Sequence, residues 1–166
     1  SDIEVSQHTK TKRKLLDVGQ LKACILGNHL YQPLLSAKRG TPISIAPVAL
    51  NESETGFVSA LMGWLDREEA RLASENTTIY LLRNKSRGSG IGFFEAGNFY
   101  PDFILWAVTG NKQVVVFVEP HGISHEGPQH PKVQFHKTIK EIEVRLGDKD
   151  LRLESAIVTP DRKSVV

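Results

Sequence analysis

Asp102 and Glu119 are the pair whose types and spacing could do chemistry. They stand at the ends of two apolar runs, Phe103 to Trp106 and Val114 to Val118, which are joined through Thr109-Gly110-Asn111-Lys112. Gly-Asn between such runs is a hairpin signal. If Gly110 and Asn111 are the two turn residues, Asp102 falls opposite Glu119. Directly opposed side chains in an antiparallel pair stand about 4.5–5.5 Å apart at Cβ. Two like charges repel at that distance, and at the end of a hairpin buried on both faces they need a neutraliser. A divalent cation is the simplest one. His121, two residues past Glu119, projects to the same face if the strand continues. Glu54 heads a helical stripe through Phe57, Val58 and Leu61, which aims its carboxylate at the edge of the core. Plainer readings stand beside these. Asp102 and Glu119 also fit a solvated hairpin end, His121 a loop, and Glu54 a capping box with Asn51 three residues earlier.

The elements that must position these residues follow from periodicity. Residues 52–74 carry Phe57, Val58, Leu61, Trp64, Leu65 and Leu72 at helical spacing, with Asn51 as N-cap. Thr78 to Arg83 reads as a buried strand, followed by a glycine-rich loop over 84–92. Tyr100 to Val108 and Gln113 to Glu119 form the hairpin, and 121–131 is a loop with two Gly and two Pro residues. A second helix over 132–146 carries Phe135, Ile139, Ile142 and Leu146 on one face, and Leu151 to Val158 is the last strand. The expected class is α/β or α+β, a sheet of about four core strands with helices packed on it.

The N-terminal part is less regular. Residues 1–14 are polar and end in Lys10, Lys12, Arg13 and Lys14, which reads as a linker or a fraying first helix. Leu15, Leu16, Val18, Leu21, Ile25 and Leu26 are spaced for a helical face. Ile43 to Leu50, interrupted by Pro47, is at best an edge strand. The division is a linker or helical segment over 1–46 and a core over 47–166.

Phe99-Tyr100-Pro101-Asp102-Phe103-Ile104, followed by Val116-Phe117-Val118-Glu119-Pro120-His121-Gly122, resembles the PD-(D/E)xK signature of restriction-endonuclease-like nucleases. The likeness is closest to the nuclease domains attached to type III restriction enzymes and DEAD/DEAH-box helicases, and runs from about Pro47 to Val158. It takes in the helix around Glu54 and the segment Tyr80-Leu81-Leu82-Arg83-Asn84. The resemblance implies a mixed sheet flanked by helices and a metal-dependent endonuclease that hydrolyses DNA phosphodiester bonds. It implies Mg²⁺, with Mn²⁺ as substitute, on Asp102 and Glu119, with Glu54 as an accessory ligand or base. It also implies a helicase domain in a longer chain of which this is the C-terminal part. Where the family carries its catalytic Lys, this chain has His121. An imidazole, with an ordinary pKa near about 6.5, can position a water or stabilise charge. Lys132 and Lys137 on the second helix are further candidates for the Lys role. Arg83, Lys85, Arg87, Lys132 and Lys137 are candidate DNA contacts, since cations gain affinity by neutralising phosphates. The opposing class is a catalytically degenerate nuclease fold that binds DNA or docks a helicase.

Composition bounds these readings without choosing among them. The chain has 166 residues, 40% hydrophobic and 24% charged, which fits one globular domain. Net charge is +2, so any nucleic-acid contact has to come from local clusters. Cys24 is the single cysteine, which excludes an internal disulfide and a cysteine-rich zinc site and suits a reducing cytoplasm. No apolar run reaches the roughly 20 residues of a membrane span. His121, His125, His130 and His136 raise a histidine zinc site, but their gaps are irregular and no HExxH helix accompanies them. Gly88-Ser89-Gly90-Ile91-Gly92 lacks the Gly-Lys-Ser/Thr of a nucleotide loop. Trp64 and Trp106 fit the core better than a base-stacking platform.

Overall fold

Asn51 starts the long helix α1 (Glu52–Ser74) with both halves of a capping box. Its side-chain oxygen accepts from the Glu54 amide, and Glu54 accepts from the Asn51 amide, each at 2.9 Å. Two of the orphan amides of the first turn are thereby satisfied. Val58, Leu61, Leu65 and Leu72 form the buried stripe. The helix ends at Glu75, and Asn76 takes the left-handed conformation that turns the chain into the sheet. The computed structural model describes residues 14–18, 20–27, 29–30, 34–40, 42, 48–85, 90–93, 99–120 and 131–158.

Among the described residues, the central sheet has five strands. In chain order they are β3 (His29–Leu30), β5 (Thr77–Arg83), β6 (Phe103–Thr109), β7 (Lys112–Glu119) and β8 (Leu151–Ile157). Each neighbours the next in that order; β5-β6 and β6-β7 are antiparallel, and β3-β5 and β7-β8 are parallel. Four strands are long and β3 has two residues, so the mixed α/β sheet of about four core strands is as expected. Helix α2 (Pro131–Leu146) precedes β8. Lys140 donates to Glu154 (2.9 Å), the Leu153 amide donates to Glu143 (2.5 Å) and His136 Nδ1 meets the Ser155 hydroxyl (3.1 Å), which sets the helix antiparallel to that strand.

Alternation sorts the strand residues between two cores. Ile79, Leu81, Phe103 and Val118 pack with Val58, Leu61 and Leu65 of α1. Ile104, Val115, Phe117 and Leu153 pack with Phe135 and Ile139 of α2. Phe93, Phe99 and Phe117 surround the Phe135 ring at centroid distances of 4.9, 4.7 and 5.7 Å. The sheet is therefore covered on both faces, as the uninterrupted apolar runs require.

The N-terminal helical reading is wrong. Lys14–Val18 (β1) and Leu21–Ile25 (β2) are antiparallel strands, in register from Lys14↔Ile25 to Val18↔Leu21. Leu35–Ala37 (β4) pairs on the other side of β2 and completes a three-stranded sheet. Cys24, Leu26, Leu34 and Leu50 join the core on the α1 side. The register leaves Gly19 and Gln20 between the strands, a two-residue connection with glycine first that favours a hairpin over a continuous helix. The expected edge strand from Ile43 is not one over 48–50, and 43–47 lie outside the described residues, as do Lys10, Lys12 and Arg13. Among the described residues, no helix is long and apolar enough to cross a membrane.

Candidate carboxylate site

Strand register assembles the site. Arg83 lies opposite Phe103, and Phe103 opposite Val118. One row further out come Asn84, Asp102 and Glu119. The Asn84 amide donates to the Asp102 carbonyl at 2.8 Å, so the β5-β6 ladder runs one residue past the strands. The hairpin register is the one deduced from a Gly110-Asn111 turn, with Thr109 paired to Lys112. Gly110 has φ +57° and Asn111 is not in the left-handed region, which is the glycine-first pattern of a type II′ turn.

Two prolines frame the carboxylates. Pro101 and Pro120 are fully buried, one directly before Asp102 and one directly after Glu119. Pro120 has no amide to donate and closes β7. The expected strand start at Tyr100 moves to Phe103, because Pro101 cannot donate and Asp102 sits in a bend. Glu119, the last residue of β7, is 7% exposed, and its carbonyl accepts from the Val158 amide at 2.9 Å. Asp102 is half-buried. Both residues hold further interactions within the protein.

Glu54 belongs to a neighbouring group. Its Oε2 lies 3.5 Å from the Arg83 guanidinium, and the same atom accepts from the Asn51 amide. Arg83, a candidate DNA contact by sequence, ends β5 at 6% exposure and faces this carboxylate inside the protein. At that burial it is not a surface cation offered to DNA, which corrects the expected DNA contact. Its signal was present: Ile79, Leu81 and Arg83 share one strand face, the buried one over which α1 lies. Alternation sends Glu119, after Phe117, toward the α2 face, while Glu54 and Arg83 lie on the α1 face. Among the described residues, no three His, Cys, Asp or Glu side chains gather as a metal-holding group.

The donor set formed by Asp102 and Glu119 still fits a hard divalent cation. Mg²⁺ usually keeps several waters and takes only one or two protein carboxylates. His121, Arg87, His125 and His130 lie outside the described residues, and the Lys132 side chain does as well. Lys85 is half-buried beside Asn84, and Lys137 is exposed on α2. His136 stands on α2 against the Ser155 hydroxyl. Gly90 and Gly92 are closely packed. A Cβ on Gly90 would lie 1.7 Å from the Lys85 carbonyl oxygen, and one on Gly92 would lie 2.4 Å from the Tyr100 ring. Trp64 and Trp106 are partly buried against the two cores. Burial pushes the Cys24 thiol up, away from a reactive thiolate.

Sequence reasoning had no signal for the role of Asn84. Its side chain donates to the Ile91 and Pro101 carbonyls, each at 2.8 Å, and accepts from the Ile91 amide at 2.9 Å. Compared with known proteins, the chain matches no family model, no curated protein and no solved structure.

Proposed function

We propose that this domain is a metal-dependent endonuclease of the restriction-endonuclease-like class, hydrolysing DNA phosphodiester bonds. The observation that carries the reading is the row Asn84-Asp102-Glu119. It holds Glu119, the buried last residue of β7, and Asp102, in the bend just before the antiparallel β6, at one end of a sheet covered on both faces. Asp102 and Glu119 are the residues that would hold Mg²⁺ or Mn²⁺. A cation bound there supplies Lewis acidity toward a phosphoryl oxygen and a lowered pKa for bound water. Glu54, held by Arg83 and the helix cap on the α1 face, is proposed as an accessory base beside this pair and not as a third ligand of the cation. His121 takes the place of the family's Lys, orienting water or moving its proton, with Lys132 and Lys137 as alternatives. Lys85 and Arg87, with Lys137, are the cations proposed to meet the DNA backbone. The partner is DNA, delivered by a helicase domain of the same longer chain, in the cytoplasm.

A second reading, a catalytically degenerate nuclease fold that binds DNA or docks a helicase, draws on the commitment of Glu54 to Arg83 and Asn51. Nicking of supercoiled plasmid decides between them. Wild type with Mg²⁺ or Mn²⁺ is expected to nick, and Asp102→Ala and Glu119→Ala are expected to fall to background. No cleavage by wild type in either metal would favour the degenerate reading. Cleavage that survives both substitutions would remove Asp102 and Glu119 from the site.

A further inference from the structure

We propose that Asn84 is a positioning residue that sets the place of Asp102 and fastens Ile91 beside it; this rests on the metal-site reading above. Four hydrogen bonds carry the inference. The Asn84 amide holds the Asp102 carbonyl, and its Nδ2 holds the Pro101 carbonyl, both at 2.8 Å. The two peptide groups flanking the Asp102 Cα are thus tied to one residue. The second Nδ2 hydrogen goes to the Ile91 carbonyl, and Oδ1 accepts from the Ile91 amide. A primary amide is the one side-chain group of this size with two donors and an acceptor in a plane. Aspartate would set a carboxylate against two carbonyl oxygens, and leucine would leave all three backbone groups without this partner. The fit is close: a Cβ on Gly90 would meet Asn84 Oδ1 at 3.1 Å as well as the Lys85 carbonyl. Asp102 lies in a bend outside β6, so its position is not fixed by a regular ladder on both sides. Asn84 supplies what the ladder lacks there. Partners that orient a ligand without touching the metal typically change metal affinity by about 10–100-fold.

The test is calorimetric titration of Mn²⁺ into wild type, Asn84→Ala, Asn84→Asp, Asp102→Ala and Thr109→Val, with the thermal midpoint of each. Thr109→Val is the control for a purely structural effect. It removes the 2.6 Å hydroxyl contact between Thr77 and Thr109 at the opposite end of the same strand pair. The inference predicts Mn²⁺ binding weakened about 10–100-fold in both Asn84 variants. It predicts wild-type affinity in Thr109→Val, whatever its thermal midpoint, and no binding in Asp102→Ala. Asn84→Asp keeps the size and the acceptor, so it reports on the donors if Asn84→Ala unfolds. Wild-type affinity in a folded Asn84 variant, with binding lost in Asp102→Ala, overturns the inference alone. No binding by wild type, or undiminished binding by Asp102→Ala, overturns the site reading and the inference together.

Discussion

The central sheet ends in Thr109, Gly110, Asn111 and Lys112 at one edge and in Arg83, Asp102 and Glu119 at the other. The four hairpin residues are exposed. At the opposite edge Arg83 and Glu119 are buried, Asp102 is half-buried, and Pro101 and Pro120 close over the chain. Both helices begin at this second edge: the first turn of α1 reaches Arg83, and α2 runs antiparallel to β8. Helix N-termini carry partial positive charge, which favours carboxylates nearby. The same sheet thus leaves its polar groups in water where they only close a turn, and takes them inside where they gather at strand and helix ends. Burying charge costs several kcal/mol per ion on the order-of-magnitude scale, so the buried edge is where a functional site is to be sought.

Substitutions can break this contrast. Arg83→Met leaves Glu54 without its buried partner and is expected to lower stability by about 3 kcal/mol. Lys112→Met at the exposed edge is expected to stay within about 0.5 kcal/mol. Urea unfolding of both measures the difference; equal effects would dissolve it. Adding Glu54→Gln to Arg83→Met is expected to recover part of the loss, because the orphaned charge goes with it.

Two glycines sharpen the comparison on a smaller scale. Gly90→Ala forces a methyl into the Lys85 carbonyl and is expected to cost about 2–3 kcal/mol. Gly110→Ala has open space around it but a φ of +57°, and is expected to cost about 1 kcal/mol. Reversing that order in unfolding experiments would contradict the close approach of Gly90 to the Lys85 carbonyl.

The smallest expected effect lies in the half-buried cluster of Lys140, Glu143 and Glu154 with the exposed Arg152. The Leu153 amide, then Lys140, holds the Glu143 carboxyl below its ordinary value of 4.5. Lys140, then Arg152, does the same for Glu154, while Glu154 and then Glu143 raise the Lys140 ammonium above 10.5. Depressed carboxylates contribute stability above their ordinary value and lose it as pH falls through the folded-state value. A raised ammonium contributes below its ordinary value and loses its contribution as pH rises through the folded-state value. The thermal midpoints of wild type and Lys140→Met should therefore differ most between those two ordinary values and converge toward both extremes. A gap independent of pH would show that the cluster contributes packing alone.

Much of the fold was legible because its signals are local. Asn51 with Glu54 announces the start of α1, and Gly110-Asn111 between two apolar runs fixes the register that brings Asp102 level with Glu119. Gly19-Gln20 likewise separates the β1 and β2 residues in sequence, yet the apolar residues there fall at spacings that also suit a helix. Cys24, Leu26 and Leu34 settle the choice through contacts with the α1 side of the core, which no local window contains. The Glu54–Arg83 pair and the Asn84 hydrogen bonds are tertiary in the same sense. Each depends on which residues the folded sheet brings to one edge.

The most direct test of the central claim is the change in thermal midpoint on adding Mn²⁺ to wild type, Glu119→Ala and Asp148→Ala. Asp148 is an exposed carboxylate just before β8, at the hairpin edge. At about 100 times its Kd, a ligand of the native state stabilises by about 2.7 kcal/mol, about 5–10 °C for a domain of this size. The account predicts that rise in wild type and Asp148→Ala and none in Glu119→Ala. An equal rise in Glu119→Ala, or none in wild type, would contradict it.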